Sequence, residues 1–149
     1  MNSTAESSMS RSFVKIYHKQ KVIYVKISGT MDLSTNEKIA YECAQAVKTP
    51  GPWTGIADLC ETQGFNSKGT SVWQTVFSAI TENIGSVYLA TPMTSVRMVT
   101  QAWGFFVKKK IHTFDTMSEL VAKARHDLHL PEDILLLRQL PMRTRTTTR

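Results

Sequence analysis

The sequence predicts an α/β fold with a mixed β-sheet, an N-terminal antiparallel hairpin and about four helices. Two alternating apolar runs, separated by a polar break at 18–21, predict the hairpin. Further along, apolar segments with helical spacing alternate with short strand-like runs, in the order β-β-α-β-α-β-α-β-α. Strands that alternate with helices build right-handed βαβ units, so most of the sheet should be parallel.

The hairpin and the first helix follow from the pattern of residues 13–50. In FVKIYHKQKVIYVKISG one face of the two strands is aliphatic, and its members are Val14, Ile16, Ile23, Val25 and Ile27. The next segment, STNEKIAYECAQAVK, opens with Ser34 and Glu37 at capping-box spacing. Its apolar residues repeat at helical intervals until TPGP ends the helix.

Three strand–helix pairs complete the order. WTGIADLCETQGF predicts a strand, and a helical apolar stripe follows from Ser67 to Ile84. SVYLATP and TSVRMVTQAWGFFVKKK predict the next pair, and IHTF and TMSELVAKARHDL predict the last. Thr116 and Glu119 give the last helix a second capping box.

The charge is concentrated at the C-terminal end. The chain has 149 residues and a net charge of +6, but residues 138–149 hold four arginines and no acid. They contribute +4, so the body is only mildly basic, and we predict no nucleic-acid partner. The expected organisation is a disordered N-terminus at 1–12, a domain at 13–130, and an extension at 131–149 that ends in a basic, Thr- and Arg-rich tail.

The composition also bears on location. With 42% hydrophobic residues the chain suits one soluble domain with a real core. The N-terminal segment MNSTAESSMS has no apolar stretch of the kind found in signal peptides. No run approaches the roughly 18 apolar residues that a membrane span needs. We therefore expect a cytoplasmic protein without a membrane span.

Motifs for metal binding or catalysis are not evident. Cys43 and Cys60 are far apart and have no Cys or His at metal-ligand spacing, so we expect no metal, no cofactor and no disulfide. Asp32, Asp58 and Glu61 have no histidine at a spacing that suggests acid–base catalysis. Glycine-rich phosphate loops are missing as well. The sequence therefore favours a protein that is not an enzyme.

Several phrases resemble the STAS family, named for sulfate transporters and anti-sigma-factor antagonists, and in particular its single-domain bacterial members. IYVKISGTMDLSTNEKI is similar to the family's opening strand, turn and first helix, and GIADLCETQGFNSKG to its central strand and loop. GSVYLATPMTSVRMV and KIHTFDTMSELVAKA are similar to its last two strand–helix pairs. The resemblance covers about residues 13–126 and implies a regulatory module that binds other proteins.

The same resemblance gives the segment GFNSKGTSVW a role. In anti-sigma-factor antagonists the serine of the loop Asp-Ser-Ser-Gly is phosphorylated by a cognate kinase, and Ser67 is the matching residue here. Asn66 replaces the aspartate, Lys68 replaces the second serine, and Gly69 is kept. The resemblance thus implies a candidate phosphorylation and interaction site, with a kinase or an anti-sigma-like regulator as partner. The simpler alternative, that Ser67 only caps a helix, stays open.

A second candidate surface lies on the predicted helix at 95–108. Phe105 and Phe106 are adjacent and cannot both point inward, and Trp103 and Met98 lie on the same helix. These residues suggest either a homodimer contact or a cleft. The cleft would make the protein a carrier of a small apolar or lipid-like ligand, which is the alternative function.

Overall fold

The N-terminal hairpin forms one edge of a five-stranded sheet in the computed structural model, which describes residues 12–31, 33–65, 67–127 and 130–137. Strand β1 is Phe13–Tyr17 and β2 is Val22–Met31, and they pair antiparallel. Period-two alternation sends the predicted aliphatic face into one core, as expected. Tyr24 lies on the opposite face and is also buried, because helices cover both sides of the sheet.

The remaining strands add to β2 in chain order. They are β3 (Trp53–Phe65), β4 (Ile84–Ala90) and β5 (Lys110–Phe114), and each pairs parallel with the strand before it. The order β1-β2-β3-β4-β5 confirms the predicted mixed sheet with an antiparallel hairpin. Because right-handed crossovers that always step in one direction stay on one side, the first three helices share a face.

Five α-helices lie among the described residues, one more than the sequence predicted. They are α1 (Leu33–Ala46), α2 (Ser67–Ile80), α3 (Thr94–Val107), α4 (Met117–Asp127) and α5 (Glu132–Leu137). A 3₁₀ turn, Thr81–Asn83, joins α2 to β4. In the described ranges no helix has the length and apolarity needed to cross a membrane.

The two faces of the sheet have separate cores. The first is covered by α1, α2 and α3, and its fully or largely buried members include Ile23, Ile27, Ile39, Val47, Trp53, Leu89 and Val96. The second is covered by α4 and α5, and its members include Val22, Tyr24, Ile56, Tyr88, Leu120, Val121 and Ile134. Each face thus buries its own set of apolar side chains, which is the main stabilising term for such a fold.

The start of α4 has the capping box that its sequence predicted. The Thr116 hydroxyl oxygen accepts a hydrogen bond from the Glu119 amide at 3.2 Å. The Glu119 carboxylate in turn accepts from the Asp115 amide at 3.2 Å. The Glu119 amide in the first turn and the Asp115 amide just before the cap both gain a partner in this way.

Helix α5 holds the far end of the described chain to the second core. Ile134 is fully buried, and Asp133 accepts hydrogen bonds from Lys15 at 2.8 Å and from the Tyr17 hydroxyl at 3.3 Å. This contact raises the pKa of Lys15 and lowers that of Asp133. The predicted domain limits, 1–12, 13–130 and 131–149, stay predictions, and residues 1–11 and 138–149 lie outside the described part.

Candidate functional site

The candidate site lies where β3 meets α2. Strand β3 ends at Phe65 and α2 begins at Ser67, so position 66 alone separates them. Ser67, Lys68 and Gly69 belong to the first turn of α2. Asn66 lies outside the described residues, as do the side chains of Ser67 and Lys68. The first turn of a helix has amides without intrahelical partners and a partial positive charge, which suits an anionic group.

Strand β3 carries this junction away from the rest of the sheet. It pairs with β4 from Trp53 to Asp58, where Asp58 is opposite Ala90, the last residue of β4. From there to Phe65 it pairs with β2 alone. The start of α2 therefore stands beyond the carboxyl end of β4, at the edge of a parallel sheet where binding sites commonly form.

Two bulges shape this extension of β2 and β3. The register shifts between Lys26 and Ser28 and again between Gly29 and Thr30. At the first shift the Asp58 carboxylate accepts a hydrogen bond from the Cys60 amide at 3.1 Å, which satisfies a donor that the irregular ladder leaves over. Gly29 has a φ of 71°, a value that suits glycine better than other residues.

Buried polar groups fix Asp58 in place. It is 6% exposed, and its other oxygen accepts from the Tyr24 hydroxyl at 3.2 Å. Burial and the neighbouring carboxylate raise the pKa of Tyr24. Burial, and then Asp58, raise the pKa of Cys60 to about 12, so its thiol stays protonated near neutral pH. The Asp58 cluster therefore holds the first bulge in place.

A second polar group lies further along the same ribbon. The Ser28 hydroxyl donates to Glu61 at 3.0 Å, and Lys26 lies 3.6 Å from the other Glu61 oxygen. The Thr62 hydroxyl donates to the carbonyl of Ile27 at 3.0 Å. These bonds join β2 to β3 and reinforce the extension that supports α2.

Helix α2 is anchored on its inner side, and its described exposed residues include no charged side chain. The Trp73 indole donates to the buried side chain of Asn36 in α1 at 2.5 Å. The described exposed residues of α2 are all uncharged, and they are Ser71, Gln74, Thr75, Ser78 and Ala79. Sequence reasoning missed this face, although the signal is readable, since no charged residue occurs from Gly69 to Thr81.

Comparison with solved structures tests the fold directly. A crystal structure of an uncharacterized protein of the DUF3478 family from Shewanella loihica PV-4, described as having a SpoIIAA-like fold, superposes with a TM-score of 0.60. The match covers 75% of this chain and 90% of that chain at 10% identity. This chain has the SpoIIAA-like fold.

That fold is the one of STAS domains and anti-sigma-factor antagonists, so the resemblance found in the sequence is confirmed at the level of the fold. No family model and no curated protein matches the chain. At 10% identity the structural neighbour shows the architecture alone.

The second predicted surface of this SpoIIAA-like domain lies on α3. Met98 is 66% exposed, which is unusual for a large apolar side chain. Trp103, Phe105 and Phe106 are part of α3, but their side chains lie outside the described part. The predicted cleft or dimer contact therefore stays a prediction at these three positions.

The remaining cysteine and histidine positions have plain structural assignments. Cys43 is buried in the first core, and burial raises the pKa of its thiol to about 12. His112 is half-buried and stacks on the Tyr88 ring with 4.6 Å between centroids. Among the described residues no group of three or more His, Cys, Asp or Glu side chains could hold a metal ion.

Proposed function

We propose that this SpoIIAA-like domain is a non-catalytic regulatory module that binds a protein partner through the start and the exposed face of α2. The observation that carries the proposal is the absence of charge among the described exposed residues of α2, next to a helix start at Ser67. The centre of a protein interface has fewer charged side chains than the rest of the surface. A kinase or an anti-sigma-like regulator is the partner that the STAS resemblance implies.

Ser67 is the proposed switch of this surface, with Asn66, Lys68 and Gly69 around it. Ser67 is the first residue of α2, so it lies at the amino end of the helix. A phosphoryl group at Ser67 would lie near the free amides of the first turn, and Lys68 offers a countercharge. It would also place two negative charges beside an uncharged face and so change what docks there.

Helix α3 is the proposed contact for self-association. The exposure of Met98 supports it, and Trp103, Phe105 and Phe106 are the further residues of the proposed homodimer contact. Methionine adapts its shape to a partner more easily than other apolar side chains. The alternative function, a carrier of a small apolar ligand between the helices, is favoured by no described residue and stays a prediction.

Partner capture from the source cells tests the proposal with paired variants of the full chain. Ser67→Asp should remove or weaken a partner that wild type retains, and Ser67→Ala should retain it. Ser34→Asp is a matched control, because it adds the same charge at an exposed serine in the first turn of another helix, α1. Thr75→Glu, in the middle of the uncharged face, should weaken the same partner. Identical partner sets for wild type, Ser67→Asp and Thr75→Glu would refute the proposal.

Self-association needs its own measurement. Sedimentation of wild type at increasing concentration should show a dimer, and Met98→Lys should shift it toward monomer. A matched control is Tyr41→Lys, since Tyr41 is 64% exposed on α1. Monomeric wild type at high concentration, or equal effects of the two variants, would remove α3 from the proposal.

A further inference from the structure

The amino ends of the four parallel strands are in register, so they form a row at one end of the sheet. Val22 is opposite Thr54, Thr54 is opposite Ser86, and Ser86 is opposite Lys110. The segments that lead into these four strands therefore meet at this edge, which is opposite to the end that bears Ser67. We call the lysines at or just before this row the lysine rim, and they are Lys19, Lys21, Lys48, Lys108, Lys109 and Lys110.

The positive charge of the rim is largely uncompensated. Within the described residues no rim lysine forms an ion pair, and the Lys21 amine donates to the carbonyl of Pro50. Acidic residues near the same edge are partly engaged elsewhere. Asp133 binds Lys15, and Asp127 accepts from the Tyr88 hydroxyl at 3.0 Å. Glu82 is exposed in the 3₁₀ turn and offsets one rim charge at most.

Two rim lysines occupy backbone positions that favour glycine. Among the described non-glycine residues, Lys21 with φ 58° and Lys108 with φ 61° have positive φ. Lys108 follows α3, and the Lys109 amide donates to the carbonyl of Gly104 at 2.9 Å, as in a Schellman motif. Glycine is the usual residue at the left-handed position of that motif. Lysine adopts this backbone conformation less favourably than glycine does. The property that Lys108 has and a glycine would lack is a positive charge.

The last turn of α3 packs closely against the start of β5, as the surroundings of Gly104 show. A Cβ at that position would come within 2.8 Å of the Lys109 carbonyl and 2.9 Å of the Ile111 side chain. The turn that presents Lys108, Lys109 and Lys110 is therefore held against the body of the domain. The backbone that bears Lys108, Lys109 and Lys110 is therefore well fixed.

We propose that the lysine rim is a docking surface for an anionic phospholipid membrane. The rim spans about 14 Å from β2 to β5, given about 4.8 Å between strands. Lysine is a compact, non-directional charge, which suits mobile headgroups better than one matched protein surface. Lipids diffuse laterally to meet each lysine, whereas a folded acidic partner would need acids at all the corresponding positions.

Nucleic acid is the less favoured partner for this edge. Single-strand binding uses exposed aromatic rings for base stacking. The aromatic side chain at the amino end of β3 is Trp53, which is fully buried. A membrane bound at the rim would leave the opposite end of the sheet, where Ser67 lies, turned toward solvent. The membrane proposal does not depend on a protein partner at Ser67.

Vesicle co-sedimentation of the full chain tests the proposal. The protein should bind vesicles of phosphatidylcholine mixed with phosphatidylserine, should not bind phosphatidylcholine alone, and should dissociate as salt is raised. Each neutralised rim lysine should weaken binding about 5-fold, so K108Q/K109Q/K110Q should weaken it about 100-fold. Equal binding to neutral and anionic vesicles, or none to either, would overturn the proposal.

Lys38→Gln is the matched control for Lys48→Gln. Both lysines are exposed, but Lys38 is within α1 and Lys48 follows its end, at the rim. Binding should fall about 5-fold for Lys48→Gln and stay unchanged for Lys38→Gln. Equal losses would show that total charge, including the arginines after residue 137, accounts for binding, and would overturn a role for the rim.

Lys108→Gly separates the proposal from a loss of folding. Glycine suits the backbone at this position, so the denaturant midpoint should rise while vesicle binding falls about 5-fold. Binding unchanged in this variant and in the triple variant would overturn the proposal. The proposal would also be overturned if oligonucleotides of mixed sequence, or an acidic polypeptide such as polyglutamate, bound through the rim and anionic vesicles did not.

Discussion

Helices α2 and α4 lie on opposite faces of one sheet and differ in how their surfaces are used. Helix α4 has capping hydrogen bonds at its start, four buried residues, and an exposed side that is rich in charge, with Glu119, Lys123, Arg125 and Asp127. Helix α2 begins one position after a strand and has no charge among its described exposed residues. A charged exposed face keeps a helix in solvent, whereas an uncharged one is typical of a contact.

The difference agrees with the proposal that α2 binds a partner and that α4 has a structural role. The inner side of α4 packs Leu120, Val121 and Ala124 at zero exposure. The inner side of α2 packs Trp73 as a partly buried residue against the first core. We therefore expect the buried side chains of α4 to contribute strongly to stability, and partner binding to depend mainly on α2.

The largest expected effect is on the buried side of α4. Leu120→Ala should lower the free energy of unfolding by about 2–5 kcal/mol, because it removes buried methyl groups and leaves a cavity. Val76→Ala on α2 should cost about 1 kcal/mol, since Val76 is only half-buried. Urea unfolding of both variants measures the contrast. Equal losses would mean that α2 contributes as much to the core as α4 does.

The next effect concerns the anchor of α2. Trp73→Phe keeps an aromatic ring but removes the indole donor to the buried Asn36 side chain. We expect a loss of about 1–3 kcal/mol in unfolding free energy. Tyr41→Phe, at an exposed position of α1, removes a hydroxyl without a buried partner and should change little. No loss for Trp73→Phe would show that packing alone holds α2 to α1.

The two helix starts give the most direct comparison. Thr116→Ala should cost about 0.5–2 kcal/mol, because it removes the capping oxygen of α4. Ser67→Ala should cost less than about 0.5 kcal/mol if Ser67 follows the cap, as the bounds of α2 indicate. Ser67→Asp should hold or raise stability, by about 0.3–1 kcal/mol, through the helix dipole. A large loss for Ser67→Ala would restore capping as its role.

The sequence predicts those features whose signal is a regular period. Alternation along β1 and β2 assigned their inward faces correctly, and the spacing of Thr116 and Glu119 identified the start of α4. Helix α5 was missed because its six residues are too few for a helical period to stand out. The sequence pattern does not show that Tyr24, on the other face of β2, is buried, because its burial depends on where α4 and α5 pack.

The candidate site was harder to derive than the fold. Position and chemistry pointed to Ser67, but the length of β3 beyond β4 depends on bulges that have no sequence period. The Asp58 carboxylate supports the first bulge by accepting a hydrogen bond from the Cys60 amide, and no sequence pattern marks that contact. The lysine rim was invisible in the sequence, because its members are separated by up to 91 positions and meet only through strand register.

The smallest expected effect is a pH dependence on the α4 side of the sheet. Burial lowers the pKa of His112 from its ordinary value of 6.5, with Lys110 and Lys123 acting in the same direction and Asp127 against it. In the unfolded chain the histidine therefore binds a proton at a higher pH than in the folded one. Between the lowered pKa and 6.5 the unfolded state binds more protons, so stability should rise with pH through this window and level off above it.

Replacement of His112 tests this dependence. His112→Phe keeps a ring that can stack on Tyr88 and removes the titration, so it should flatten the dependence of the urea midpoint on pH below 6.5. His126→Asn, an exposed position near the end of α4, serves as control. The effect should be modest, because His112 is only half-buried and water screens part of it. The prediction is wrong if the pH dependence of the urea midpoint remains in His112→Phe and is lost in His126→Asn. The end of α4, and not the stacked pair of His112 and Tyr88, would then cause the dependence.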